Sequence, residues 1–249
     1  MAGKPVNATP SREARWAPWR VAGARARWWR WLVARTRLFT TALAVTALAL
    51  FGGLAVLVQL GLTMAFDLAV THAIQAVSFP FIAVLMAGVS ILGFQPFALL
   101  LVLATVLLLW QVRLRLEAAL ALAGGGGGMI AEGLKLVLLR PRPSAEQVRV
   151  AAELVGHSFP SGHVLMYVGF FGFLGYLAYV RLRPSWLRSL ALGLCGGLVG
   201  LVGVSRVYLG QHWPTDVLAS YLLGIAYLIL LVRVYLWRAR ACLTARAGR

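Results

Sequence analysis

Long apolar stretches dominate the chain and set its outline. Residues 38–62 form a run of about 25 residues without a charged side chain, too long for a signal-peptide core, so they are expected to stay as a first span. Further runs cover 95–112, 118–139, 163–180, 187–204 and 214–237. They are continuous rather than alternating, which predicts helices, and a bilayer core accepts helices because each satisfies its own backbone. The fold expected is therefore all-α: a polytopic membrane helical bundle of six transmembrane helices.

Residues 67–95 fit this scheme least well. The part from 74 to 94 is apolar enough to span, yet Pro80 breaks it and polar residues lie near both ends. Counted as a span, it would invert everything after it. Left as a re-entrant or outer-face helical segment, it puts both termini on one side with Arg113, Arg115, Arg181, Arg183 and Arg188. That side then carries 19 of the 24 basic residues, as the positive-inside rule requires of the cytosolic face. Five consecutive glycines, Gly124 to Gly128, interrupt the third run. Small residues let a neighbouring backbone approach closely, so tight packing is expected there rather than a hinge.

Composition changes the picture in two places. At 61% hydrophobic and 12% charged, the 249 residues do not make an ordinary soluble domain. The net charge of +17 would suit nucleic acid, but nine basic residues precede Leu38 and five follow Leu231. They flank spans, so no nucleic-acid partner is expected. The expected organisation is a basic Arg/Trp-rich cytosolic tail over 1–37, with Trp16, Trp19, Trp28, Trp29 and Trp31 at the headgroup level, a membrane domain over 38–237, and a basic tail over 238–249. Cys195 and Cys242 offer no disulfide framework.

Candidate chemistry lies where polar residues interrupt the apolar runs. With 22 arginines and two lysines, Lys135 stands out. It opens Lys135-Leu136-Val137-Leu138-Leu139-Arg140-Pro141-Arg142-Pro143 at the end of the third run. Pro160-Ser161-Gly162-His163 opens the fourth, and Ser205-Arg206 leads to His212 and Asp216 between the fifth and sixth. Alternation of six spans places all three clusters on one surface. Lys135, Arg142 and Arg206 lack a matching set of carboxylates, Glu132 being the one acid within a turn of Lys135. Such a group of cations suits phosphate oxygens, and Ser161 and Gly162 sit at a helix N-terminus, which is a ready anion site. The plain alternative is contact with lipid headgroups.

If the segment is helical, His212 and Asp216, four residues apart, share a face, so the carboxylate can orient the imidazole as a nucleophile. His163 is placed to act as acid and then base. His72 reads as structural and His157 as a loop contact. A metal held by His163 and His212 is disfavoured by the surrounding cations.

Lys135-x6-Arg142-Pro143, Pro160-Ser161-Gly162-His163 and Ser205-Arg206-x5-His212-x3-Asp216 resemble the three-part signature of the type 2 phosphatidic acid phosphatase superfamily, which also contains vanadium haloperoxidases. The likeness covers about residues 67 to 236. It implies that Lys135, Arg142 and Arg206 bind phosphate with help from Ser161 and Gly162. It further implies that His163 is the acid, that His212 is the nucleophile with Asp216 orienting it, and that no metal or cofactor is needed. Arg140-Pro141 falls two residues short of the family spacing, which makes Arg142 the phosphate ligand and Arg140 secondary.

The resemblance also implies a phosphatase acting on a lipid phosphate or diphosphate, with undecaprenyl diphosphate as the narrow expectation and phosphatidylglycerol phosphate or phosphatidate as alternatives. A lipid phosphotransferase would use the same phosphohistidine. Six spans argue against a soluble haloperoxidase, and a transporter or scaffold would leave the clusters as headgroup anchors. The expected setting is a bacterial cytoplasmic membrane, with membrane lipids as surroundings, both termini cytosolic and the site on the outer face.

Overall fold

A computed structural model describes residues 24–247, with side chains described for 36–238, and every regular element in it is a helix. The side chains of the Arg/Trp-rich tail before Thr36, and that of Cys242, lie outside the described residues. The chain divides into two units, Met1–Thr41 and Ala42–Arg249. In order the helices are α1 (Ala24–Gln59), α2 (Met64–Gln75), α3 (Pro80–Ile91), α4 (Phe97–Gln111), α5 (Arg115–Gly125), α6 (Gly127–Leu138), α7 (Gly162–Arg181), α8 (Trp186–Tyr208) and α9 (Pro214–Ala247).

The centre of the larger unit is α7, which packs against α5, α6, α8 and α9. Residues 164 to 171 are buried without interruption, so this helix is apolar all round, as a central helix must be. The glycine run explains how α7 is approached. A Cβ on Gly124 would lie 2.6 Å from the Gly169 carbonyl oxygen, and one on Gly127 would lie 2.9 Å from that of Leu165. The same run also breaks the expected third span at Gly126, the junction of α5 and α6. Tight packing and a helix break therefore coincide.

Among the described residues, four helices are long and apolar enough to cross a membrane: Thr36–Gln59 of α1, α7, α8 and Pro214–Arg238 of α9. A fifth results if the α2–α3 pair, bent by 120°, is taken as one broken span. The expected six-span count is thus met only in outline, because α4 has 15 residues and the 118–139 run is split. The segment that hydropathy left ambiguous is this bent pair, with Pro80 opening α3 where a missing N–H costs nothing. It starts beside the N-terminus of α9, where Asp67 meets Thr215, and the chain leaves it beside the N-terminus of α7, where Phe94 meets His163. Both ends of the pair therefore lie at the same end of the bundle. Large exposed apolar side chains along α1, α3, α4 and α8 are what lipid-facing surfaces require, and the protein is an integral membrane protein.

Polar contacts mark the two ends of the bundle. At one, Arg181 of α7 donates to Glu117 of α5 and to the Tyr235 hydroxyl of α9. At the other, Gln59 of α1 donates to the Leu138 carbonyl of α6. The sequence clusters all belong to this second end.

Candidate active site

Four helix termini meet here: the C-terminus of α6, the N-terminus of α7, the C-terminus of α8 and the N-terminus of α9. The helix α6 stops because Leu139 adopts a left-handed conformation, φ 46°, and Pro141 follows. Lys135 is buried in its last turn and bonds Glu132 at 2.7 Å. The expectation that the cations lack carboxylate partners needs correction at this position. The Glu132 side chain is itself 68% exposed, so the pair opens toward solvent.

Arg142 turns into the site. Its Nε donates to the Gly156 carbonyl at 3.1 Å, and one terminal nitrogen donates to the Gln211 carbonyl at 2.7 Å while lying 3.3 Å from Nε2 of His212. Burial pushes the Arg142 guanidinium below its ordinary value, opposed by Asp216 and Glu132. Arg206, fully buried at the end of α8, donates to Ser90 Oγ at 2.6 Å and lies over the Phe94 ring at 5.0 Å. Ser161 caps α7, and its amide donates to Ser220 Oγ at 2.7 Å. The Ser161 hydroxyl is buried without a partner among the described residues, as are Nε2 of His163 and Nε of Arg206. Gln211 Oε1 and His212 Nδ1 are also buried without a hydrogen-bond partner among the described residues, and buried polar atoms are rarely left unpaired, so five such atoms near one another mark a site shaped for a polar ligand.

His212 and Asp216 do meet, though not along one helix face. Proline at 214 starts α9 after His212, and Asp216 in the first turn reaches back to accept the Trp213 amide at 2.9 Å, half of a capping box. This turn brings Asp216 Oδ2 within 3.4 Å of His212 Nδ1, and catalytic contacts of that length commonly tighten in the transition state. Gly210, two residues before His212, lets the loop turn against the 149–150 backbone: its φ is +65°, and a Cβ there would strike the Arg149 carbonyl. Burial holds the His212 imidazole well below its usual range, and Arg206, Arg142 and Lys135 push it the same way. With its proton on Nδ1 toward Asp216, a neutral ring carries its lone pair on Nε2, the atom that Arg142 approaches. His163 lies close enough to Arg206, Lys135 and Arg142 to feel the charge of each, and His212 is near it too. Two imidazoles and three cations thus share one neighbourhood. Among the described residues, no three His, Cys, Asp or Glu side chains gather as a set that could hold a metal ion.

Residues 114–240, just over half of the chain, match the PAP2 superfamily. The chain belongs to that superfamily. The match takes in α5 to α9 with all three clusters of the PAP2 site, and leaves α1 to α4 outside. Among solved structures, the PAP2-type phosphatidylglycerolphosphate phosphatase of Bacillus subtilis is 26% identical with a TM-score of 0.67, covering 77% of this chain and 94% of that one. LpxE of Aquifex aeolicus is 24% identical with a TM-score of 0.51, covering 67% and 94%, and shares the PAP2 fold. A curated relative, the undecaprenyl-diphosphatase of Sulfolobus acidocaldarius, is 34% identical over 87 residues, 35% of this chain. The chain spans about a third of that relative's length, 32%.

The same neighbourhood contains residues that the sequence did not single out, and it gives a place to Arg140, read there as secondary. Ser90, Gly93 and Phe94, from the end of α3 and the turn after it, form a wall against Arg206 and His163. Asp67 of α2 and Arg140 stand behind Asp216. A signal for Asp67 existed: it is one of seven acids in the chain and lies among apolar residues, where an ionised group is costly. Ser90, Gly93 and Phe94 carried none. His72, read as structural, bonds the Gln147 carbonyl at 2.9 Å.

Proposed function

We propose that this PAP2 protein is a lipid phosphate phosphatase that works through a phosphohistidine. The supporting observation is the gathering of Lys135, Arg142 and Arg206 around a buried His212 whose Nδ1 faces Asp216. Nε2 of His212 attacks phosphorus in line, forming an N–P bond as the P–O bond to the lipid breaks. His163 gives its proton to the departing oxygen. It then takes a proton from water, whose oxygen attacks phosphorus, and the N–P bond breaks with its electron pair returning to Nε2. Inorganic phosphate leaves and His163 is again protonated. The three cations, the Ser161 hydroxyl and the Gly162 amide hold the peripheral oxygens, each contact contributing about 2.7 to 4 kcal/mol if it resembles an oxyanion-hole donor.

The favoured substrate is a phosphate monoester of the phosphatidylglycerol phosphate kind, because the relative named for that lipid overlays 77% of the chain. Undecaprenyl diphosphate is the second reading, supported by the 34% identity over 87 residues. With this reading go a site on the outer membrane face, residues 38–237 as the catalytic domain and the basic tails 1–37 and 238–249 in the cytosol. Arg115 and Arg181 lie at the bundle end remote from the pocket, in keeping with that orientation.

Purified protein given each lipid tests the reading. Phosphate release without an added acceptor distinguishes hydrolysis from phosphotransfer, and the faster lipid names the class. Acid quenching should trap a phosphoprotein that accumulates in His163→Ala and is absent in His212→Ala. Unchanged phosphate release by His212→Ala would remove the mechanism.

A further inference from the structure

His212 turns one side to the phosphate cradle, and the far side of the His212–Asp216 pair is equally built. Oδ1 of Asp216 accepts from Arg140 at 2.5 Å. The other terminal nitrogen of Arg140 donates to Oδ2 of Asp67 at 2.5 Å. Oδ1 of Asp67 in turn accepts the Thr215 amide and hydroxyl, both at 2.9 Å. Asp67 and Asp216 are fully buried and Arg140 nearly so, at 7% exposure. Two carboxylates therefore share one guanidinium in a place where water does not screen them.

With both carboxylates ionised, one cation between two anions carries a net charge of −1, and the carboxylate atom nearest the imidazole is Asp216 Oδ2, 3.4 Å from His212 Nδ1. Were Asp67 neutral, Arg140 would cancel Asp216, and the imidazole would lose its counter-charge when a phosphoryl group makes it cationic. Low-dielectric burial makes such a difference large. The doubled Arg-Pro of the sequence then has two jobs: Arg142 faces the phosphate, and Arg140 faces away from it.

We propose that Asp67, acting through Arg140, is a positioning residue that keeps the Asp216 carboxylate negative toward His212. The proposal rests on the phosphohistidine reading. Neither Asp67 nor Arg140 touches the cations that hold phosphate, so the effect falls on the rate of phosphoryl transfer rather than on substrate binding.

The test is a single-turnover acid quench of the full-length protein in detergent, with phosphorylated lipid as probe. Asp67→Asn should slow phosphoprotein formation about 10- to 100-fold, while KM moves less than about threefold. Adding Arg140→Gln restores the net charge of −1, so the double variant should form phosphoprotein faster than Asp67→Asn. If Asp67 serves only to tie α2 to α9, the double variant loses more contacts and is slower still. A wild-type rate in Asp67→Asn, or a double variant no faster than the single, overturns the proposal. Where the single variant does not fold, the double variant decides alone. A rate within about tenfold of wild type supports the positioning role, and the background rate of His212→Ala overturns it. Absence of phosphoprotein in the wild type itself would instead defeat the phosphohistidine reading.

Discussion

The His163 imidazole stands edge-on against the Phe94 ring, with centroids 4.5 Å apart and planes inclined by 74°. The backbone just before Phe94 passes so near that a Cβ on Gly93 would overlap the same imidazole. An aromatic edge contact and a missing side chain thus fix the orientation of the His163 ring.

Gly93→Ala should therefore lower kcat at least tenfold, about 1.4 kcal/mol or more of transition-state stabilisation, with little change in unfolding temperature. Gly88→Ala, in the same helix region with no atom within 4 Å of an added Cβ, is the matched control and should keep wild-type activity. Equal activities for the two variants would show that the orientation of His163 is not limiting.

Arg142 engages a carbonyl through Nε and another through a terminal nitrogen, while approaching Nε2 of His212. A lysine keeps the charge but cannot reproduce the fork. Arg142→Lys is expected to reduce kcat/KM by about 100-fold or more, in the range of about 2.7 to 4 kcal/mol for one lost donor. Phosphate-release kinetics measure it, and a loss below about fivefold would mean that charge alone suffices.

The depressed proton affinity of His212 has a definite sign. An unfolded imidazole takes up a proton near pH ~6.5, whereas the folded one resists it until the pH is well below that. The unfolded chain then binds more protons, so stability falls as pH drops below about 6.5, by up to about 1.4 kcal/mol per pH unit for this group. Thermal unfolding in detergent as a function of pH should show this slope, and His212→Gln should remove this group's share of it. Histidine ¹⁵N spectra at pH ~5.5 should still report a neutral ring at 212.

At the opposite end, Glu117 is buried and bonded to Arg181, which also bonds Tyr235. Glu117→Gln should lower the unfolding temperature while leaving kcat per folded molecule within about twofold of wild type: Arg181 is 36% exposed, so water screens the pair and losing it costs about 1 kcal/mol, well under a fully buried pair, without touching the residues around His212. A selective loss of kcat would show that the two ends are coupled.

Much of the site was legible because polar residues in apolar runs are costly and therefore conspicuous. Lys135, Ser161, His163, Arg206, His212 and Asp216 each sit at the edge of such a run, and alternating helices bring those edges together. The residues that escaped notice have a different character. Ser90, Gly93 and Phe94 look like ordinary helix-end residues, and their importance depends on the 120° bend between α2 and α3, which a hydropathy profile cannot display. The His212–Asp216 contact was anticipated from a four-residue spacing, but it arises from a turn: Pro214 starts the helix too late for the two to share a face. Arg140 seemed a misplaced copy of Arg142. Its role depends on Asp67, 73 positions earlier in the chain, and no local pattern links them.

The glycines at the junction of α5 and α6 reach beyond packing. With Gly124 against Gly169 and Gly127 against Leu165, two antiparallel backbones interlock at points that no side chain separates. One helix cannot slide along the other without collision. The axial offset between α6, which carries Lys135, and α7, which carries His163, is thereby held by main-chain steric contact running from Leu165, two residues past His163, to Gly169, and a single added methyl group at Gly124 or Gly127 would shift Lys135 relative to His163.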